Sequence, residues 1–148
     1  MQVSDVMTRS PEVCTPDTDL VYVARMMADR SVGVIPVVQD TESMKPIGIV
    51  TDRDIVVRAV AKNQNPDDLC ASDVMSTDIC CASPNMDLRE CLKLMEQHEI
   101  RRIPVVDQSG KLCGIVAQKD LADHAPLEIS AELLKQVSAA PPQGGAYH

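Results

Sequence analysis

The chain has no tryptophan and no phenylalanine, and Tyr22 and Tyr147 are its only aromatic residues. Its core must therefore be aliphatic, assembled from Val, Ile, Leu, Met and Ala. A planar ligand would have to be held by backbone and aliphatic walls, since no ring beyond Tyr22 is there to stack on it. Basic runs are also missing. The formal charge is −8 and the pI about 4.7, which repels phosphate backbones and argues against a nucleic-acid partner. No window approaches the roughly 18 apolar residues that a membrane span requires. The opening "MQVSDVM" has neither the charged nor the apolar region of a signal peptide, so a cytoplasmic protein with no membrane partner is expected. Six cysteines occur without a C-x-x-C pair, and several lie inside apolar runs, a pattern that fits reduced thiols. Nucleophile elbow, H-E-x-x-H, Walker loop and Rossmann glycine pattern are all absent, so no catalysis is expected.

What the sequence does have is a repeat. "SDVM" at 4–7 returns at 72–75, and "IPVV" at 35–38 returns at 103–106. "GIVTDRD" at 48–54 is answered by "GIVAQKD" at 114–120, after the first copy has spent two extra residues on its turn. Order, spacing and motif agree.

Each copy reads as strand, helix, strand, strand, helix, an α/β (α+β) unit. A short run ended by proline, "PEVCTP" or "DICCASP", fits a strand. In the next segment Leu20, Val23, Ala24 and Met27, and likewise Leu88, Cys91, Leu92 and Met95, recur at helical spacing. Asp17 or Thr18, and Asn85, are candidate caps. Two β-branched runs follow, and then a closing helix begun by Thr51, Asp52 or Asp54. The expected layout is motif 1 over 3–62, a linker over 63–70, motif 2 over 71–124, a further helix over 126–138 and a disordered tail over 139–148. One copy alone buries too little surface, so the two should pack their sheets face to face around a shared core.

Carried by "SDVM", "IPVV" and "GIVTDRD", then "SDVM", "IRRIPVVD" and "GIVAQKD", the pattern resembles a tandem cystathionine-β-synthase (CBS) domain pair, or Bateman module. It covers about residues 3–124. The layout is similar to small stand-alone CBS-pair proteins, including the hypoxic-response type. The resemblance implies two halves related by a pseudo-two-fold axis, with adenosine-type ligands held in the cleft between them. Gly48 would admit the ligand to the backbone, Asp54 would accept from ribose hydroxyls, and Thr51 would donate toward phosphate. Backbone at Ile79 and Cys80 would read the adenine edge, and Arg101, Arg102 and Lys119 would hold phosphate. The mirror-image site would use Glu12, Val13, Val34, Arg53, Gly114 and Asp120. There Ala117 stands in place of Thr51, and Gly33 and Val34 in place of the two arginines, so that site should be weaker or suited to an uncharged adenosine.

The function expected is a non-catalytic sensor of AMP, ADP or ATP that needs no cofactor. Its state would be read by a homodimer's geometry or by a regulated protein partner. The competing reading is a ligand-independent dimeric scaffold. Blander readings exist for single residues. Asp54 can be a helix-start residue, Arg101 and Arg102 a surface pair facing Glu96 or Glu99, and the methionines core filler. Cys80 and Cys81 invite a redox role.

Overall fold

The structure, a computed structural model, describes residues 1–124. The helix expected over 126–138 and the tail expected over 139–148 lie outside the described residues. Both apolar stripes become helices. Leu20–Arg30 (α1) buries Leu20, Val23 and Met27, and Leu88–His98 (α4) buries Leu88, Cys91, Leu92 and Met95. Only Ala24 of the expected stripes stays half-buried. The helices start later than the sequence suggests, after Asp19 and Asp87. Asp87 accepts from the Arg89 backbone N–H at 2.8 Å. Asp17 and Asn85 instead take hydrogen bonds from the hydroxyls of Thr15 and Ser83, closing the turns ahead of the helices. Both helices end at left-handed residues, Ser31 and Glu99, which are equivalent positions of the two copies.

The β-branched runs form the sheets. Val34–Val38 (β2) pairs antiparallel with Pro46–Thr51 (β3), with an irregularity between Val37 and Val38. Arg102–Val106 (β4) and Leu112–Ala117 (β5) join Thr8–Arg9 (β1) in the order β1-β5-β4. The strands expected at 11–16 and 78–84 shrink to single parallel bridges, Cys14 to Val37 and Ala82 to Val105. Cys14 donates to Pro36 O and accepts from Val38 N; Ala82 does the same with Pro104 O and Val106 N. Prolines 11, 16 and 84 flank these bridges and, lacking an N–H, cannot extend them into full strands.

The described chain divides into two compact units that do not coincide with the two repeats. Among the described residues, unit I is 11–79 with 110–112, and unit II is 1–10, 80–109 and 113–124. Each has an aliphatic core. Leu20, Val23, Ile35, Val37 and Val50 centre the first, and Val3, Leu88, Leu92, Met95 and Ile103 the second.

The leading segments are exchanged. The first "SDVM" lies in unit II, where Val3 N donates to Met86 O and Ser4 N to Pro84 O. There β1 pairs with β5 at Ile115 and Gly114. The second "SDVM" forms a short helix, Ala71–Val74 (α3), in unit I. Ala71 N and Ser72 N donate to Thr18 O and Pro16 O, and Ser76 exchanges two backbone bonds with Ile49. The stretch expected as a linker carries a turn of 3-10 helix at Pro66–Asp68, and Leu69 O accepts from Leu20 N.

Candidate functional site

The chain leaves β3 at Thr51 and enters a helical turn, Asp52–Ile55 (α2), which continues as a wider π-type turn over Val56–Val60. Thr51 Oγ1 accepts from Asp54 N at 3.0 Å, while Asp54 Oδ2 accepts from Thr51 N at 2.9 Å. This reciprocal box satisfies two backbone donors at the helix start. Both residues are only 1 % exposed. The second copy has half of it: Asp120 Oδ2 accepts from Ala117 N at 2.8 Å, at the start of Gln118–His124 (α5), but position 117 has no hydroxyl to reciprocate. Thr51→Ala should therefore cost about 1 kcal/mol of stability. Ala117→Thr should gain up to about the same amount. Urea unfolding of both variants checks the pair.

Gly48 has a packing role that the sequence did not show. A Cβ there would lie 2.8 Å from Ser76 O and 3.1 Å from Met75 Sδ. At Gly114 a Cβ would lie 2.6 Å from Met7 Sδ and 3.0 Å from Thr8 O. In each unit the glycine of "GIV" thus receives the methionine of the "SDVM" that docks there. The two motifs recur together because they touch.

Unit II brings three cations together. Arg101, Arg102 and Lys119, with Ala117 and Gln118, line a cavity of about 280 Å³. The Gln118 N–H donates to Arg101 O at 2.9 Å, tying the start of α5 to the residue before β4. Unit I repeats this joint, with Asp52 N donating to Gly33 O at 3.0 Å. Its side chains differ: Gly33, Val34, Asp52 and Arg53 stand where unit II has Arg101, Arg102, Gln118 and Lys119. The same backbone joint thus carries three positive charges in one copy, and one positive and one negative charge in the other. An anion is favoured at the first and gains little at the second.

Gly48, Thr51, Asp54 and Ile79 belong to unit I; Cys80, Arg101, Arg102 and Lys119 belong to unit II. Of the second set, Glu12, Val13, Val34 and Arg53 lie in unit I, and Gly114 and Asp120 in unit II. Glu12 pairs with Arg30 at 3.1 Å across two well-exposed side chains, an arrangement worth about 0–1 kcal/mol. Val34 is buried in β2, and Ile79 and Val13 are half-buried. Cys80 packs against the core of unit II.

Burial raises the thiol pKa values of Cys80, Cys81 and Cys113, and pushes Cys14 and Cys91 up to about 12 and about 11. These thiols are protonated at neutral pH and are not activated nucleophiles. Among the described residues no group of three or more His, Cys, Asp and Glu side chains could hold a metal ion. No helix there is long and apolar enough to cross a membrane.

Sequence reasoning missed Gln118 as a pocket residue, although its place beside Lys119 was a signal. It also missed Arg58, one helical turn beyond Asp54, and a cavity of about 480 Å³ bounded by Cys81, Ser83, Asn85 and Asp107, for which no motif gives warning.

The family model for the CBS domain matches twice, over residues 3–60 and 71–127. The chain belongs to the CBS domain family. This CBS pair is 42 % identical over 123 residues to the CBS domain-containing protein YhcV of Bacillus subtilis, covering 81 % of this chain and 82 % of that one. It is 29 % identical to Hypoxic response protein 1 of Mycobacterium tuberculosis, covering 90 % and 91 % of the two chains. The match to MK0525 of Methanopyrus kandleri, 35 % identical over 85 % of this chain, spans 63 % of that protein's length. Among solved structures, Hypoxic Response Protein I with two coordinated zinc ions aligns with a TM-score of 0.76, covering 85 % of this chain and all of that one. The CBS domain pair of MJ0100 in complex with 5′-methylthioadenosine and S-adenosyl-L-methionine aligns at 0.73 and 23 % identity, over 83 % and 94 % of the two chains. At that identity the likeness is one of fold.

Proposed function

We propose that this CBS pair is a non-catalytic regulatory module for an adenosine-type ligand bearing phosphate, of the AMP, ADP or ATP class. The observation that carries the reading is the joint built twice, basic at Arg101, Arg102 and Lys119 and charge-neutral at its counterpart. Guanidinium and ammonium groups converging on one small cavity make the chemistry of a phosphate site. The MJ0100 pair, solved in complex with two adenosine derivatives, supports the nucleoside part. Asp54 and Thr51 are the proposed contacts to ribose and phosphate, and backbone at Ile79 and Cys80 those to adenine. Glu12, Val13, Val34, Arg53, Gly114 and Asp120 carry the corresponding proposal for an uncharged adenosine derivative. No cofactor is needed for such a role, and a cytoplasmic location suits it.

Val56 and Val60 are 56 % and 59 % exposed on the π-type turn, and Val57 beside them is also exposed. We propose that a second copy covers this apolar stripe and that ligand state is read through the pairing or by a protein partner. Val56→Asp with Val60→Asp should turn the dimer into a monomer in sedimentation equilibrium.

A melting panel with AMP, ADP, ATP, NAD and S-adenosylmethionine tests the ligand reading. At a concentration near a hundred dissociation constants, stabilisation is about 2.7 kcal/mol. For a chain of this length that raises the melting temperature by about 5–10 °C. The rise should vanish in Asp54→Ala. If none of these compounds moves the transition, the chain is a ligand-independent scaffold.

A further inference from the structure

Asp54 is connected beyond its own turn. Its Oδ1 lies 3.8 Å from Nε of Arg58, one helical turn on, and the carboxylate is almost wholly buried while the guanidinium is partly exposed. The other end of that guanidinium reaches the "SDVM" segment. Arg58 Nη1 donates to Val74 O at 3.0 Å and to Met75 O at 3.1 Å. These are carbonyls at the C-terminal end of α3, which lack partners within so short a helix and favour a cation. The next residue, Ser76, exchanges backbone hydrogen bonds with Ile49 on β3, and Met75 packs on Gly48. One planar side chain therefore touches both the carboxylate of the "GIVTDRD" turn and the segment 74–76. That segment lies just before Ile79, where the continuous stretch of unit I ends.

We infer that Arg58 is a positioning residue that couples the state of the Asp54 carboxylate to the order of residues 74–76. A planar guanidinium can face a carboxylate with one nitrogen and the carbonyls with another. Anything that neutralises or re-aims the carboxylate changes what the guanidinium balances, and its hold on Val74 O and Met75 O changes with it. The size of that response is a coupling free energy between two places in unit I. Its use in ligand sensing rests on the proposed function, since a ligand hydroxyl on Asp54 would be the natural perturbation. The coupling itself does not need a ligand.

The test is a double-mutant cycle of Asp54→Asn and Arg58→Gln on the full chain, read by hydrogen exchange at the Ser76 amide, which is bonded to Ile49 O. Asp54→Asn alone should speed exchange at Ser76 by about fivefold or more. In the Arg58→Gln background the same substitution should change it less than about twofold. Independent, multiplicative effects of the two substitutions overturn the inference. Should Asp54→Asn not fold, Asp54→Ser, which keeps a short polar group at that position, takes its place in the cycle. A parallel arm adds AMP to the wild type and to Arg58→Gln, with binding measured separately by calorimetry. If AMP binds both proteins and shifts Ser76 exchange equally in both, Arg58 does not relay the ligand and the use of the coupling in sensing is overturned. If AMP binds neither, the proposed function fails, while the cycle still decides the coupling.

Discussion

Arg101→Ala, Arg102→Ala and Lys119→Ala combined should weaken AMP binding by about a hundredfold or more and adenosine binding by less than about threefold. A hydrogen bond to a charged group contributes about 1.5–3 kcal/mol, and a tenfold change in affinity needs about 1.4 kcal/mol. Two full contacts of this kind already exceed a hundredfold. Arg102, half-buried where β4 begins, should carry the largest single share. Arg101 and Lys119, both exposed, should contribute less each because water and salt screen them. The phosphate-dependent part should also shrink as ionic strength rises, whereas adenosine binding should barely respond. Exposed positions such as Arg101 and Lys119 leave stability within about 0.5 kcal/mol, and a melting curve of the Arg102→Ala-containing variant establishes that calorimetry is run on folded protein. An equal loss for adenosine and AMP would show that the cavity does not hold the phosphate.

Gly48→Ala and Gly114→Ala should have unequal costs although the residues are equivalent in the repeat. At Gly48 the nearest obstacle is the Ser76 carbonyl, 2.8 Å from the new carbon. That oxygen is fixed because Ser76 bonds Ile49 in both directions. Backbone must move, and overpacking of this kind costs about 1–3 kcal/mol. At Gly114 the nearest atom is the thioether sulfur of Met7, the flexible end of an adaptable side chain. Its cost should be about 1 kcal/mol less. Urea unfolding of the two variants under the same conditions measures the difference. A larger loss at Gly114 would mean that Met7, or the Thr8 carbonyl 3.0 Å from the new carbon and held by the β1–β5 pairing, does not yield.

The fold is largely readable from pattern. Helical spacing marks α1 and α4 because four apolar residues in each have only one face to share. The "IPVV" and "GIV" runs mark their strands because β-branched residues favour extended backbone. What pattern cannot show is which copy of "SDVM" packs on which copy of "GIV". Local sequence is the same in both, so the choice between them is made by tertiary contacts alone. The site is legible in chemistry and only partly in geometry. Arg101, Arg102 and Lys119 stand out as cations in an acidic chain, and they do line one cavity. Gly48 suggests a place for close ligand approach, and the structure adds a packing reason for it, since a Cβ there would meet Ser76 O and Met75. Thr51 and Asp54 bond one another, so a motif that looks outward in the sequence also closes its own helix.

The traded headers have a practical corollary for anyone wishing to excise half of this molecule. A cut between the repeats, in the stretch 63–70, would strip Met75 and Ser76 from Gly48 and Ile49, and it would leave Met1–Arg9 attached to the wrong piece. The continuous part of unit I runs instead from Pro11 to Ile79, and a fragment cut there takes the neighbour's signature tetrapeptide with it.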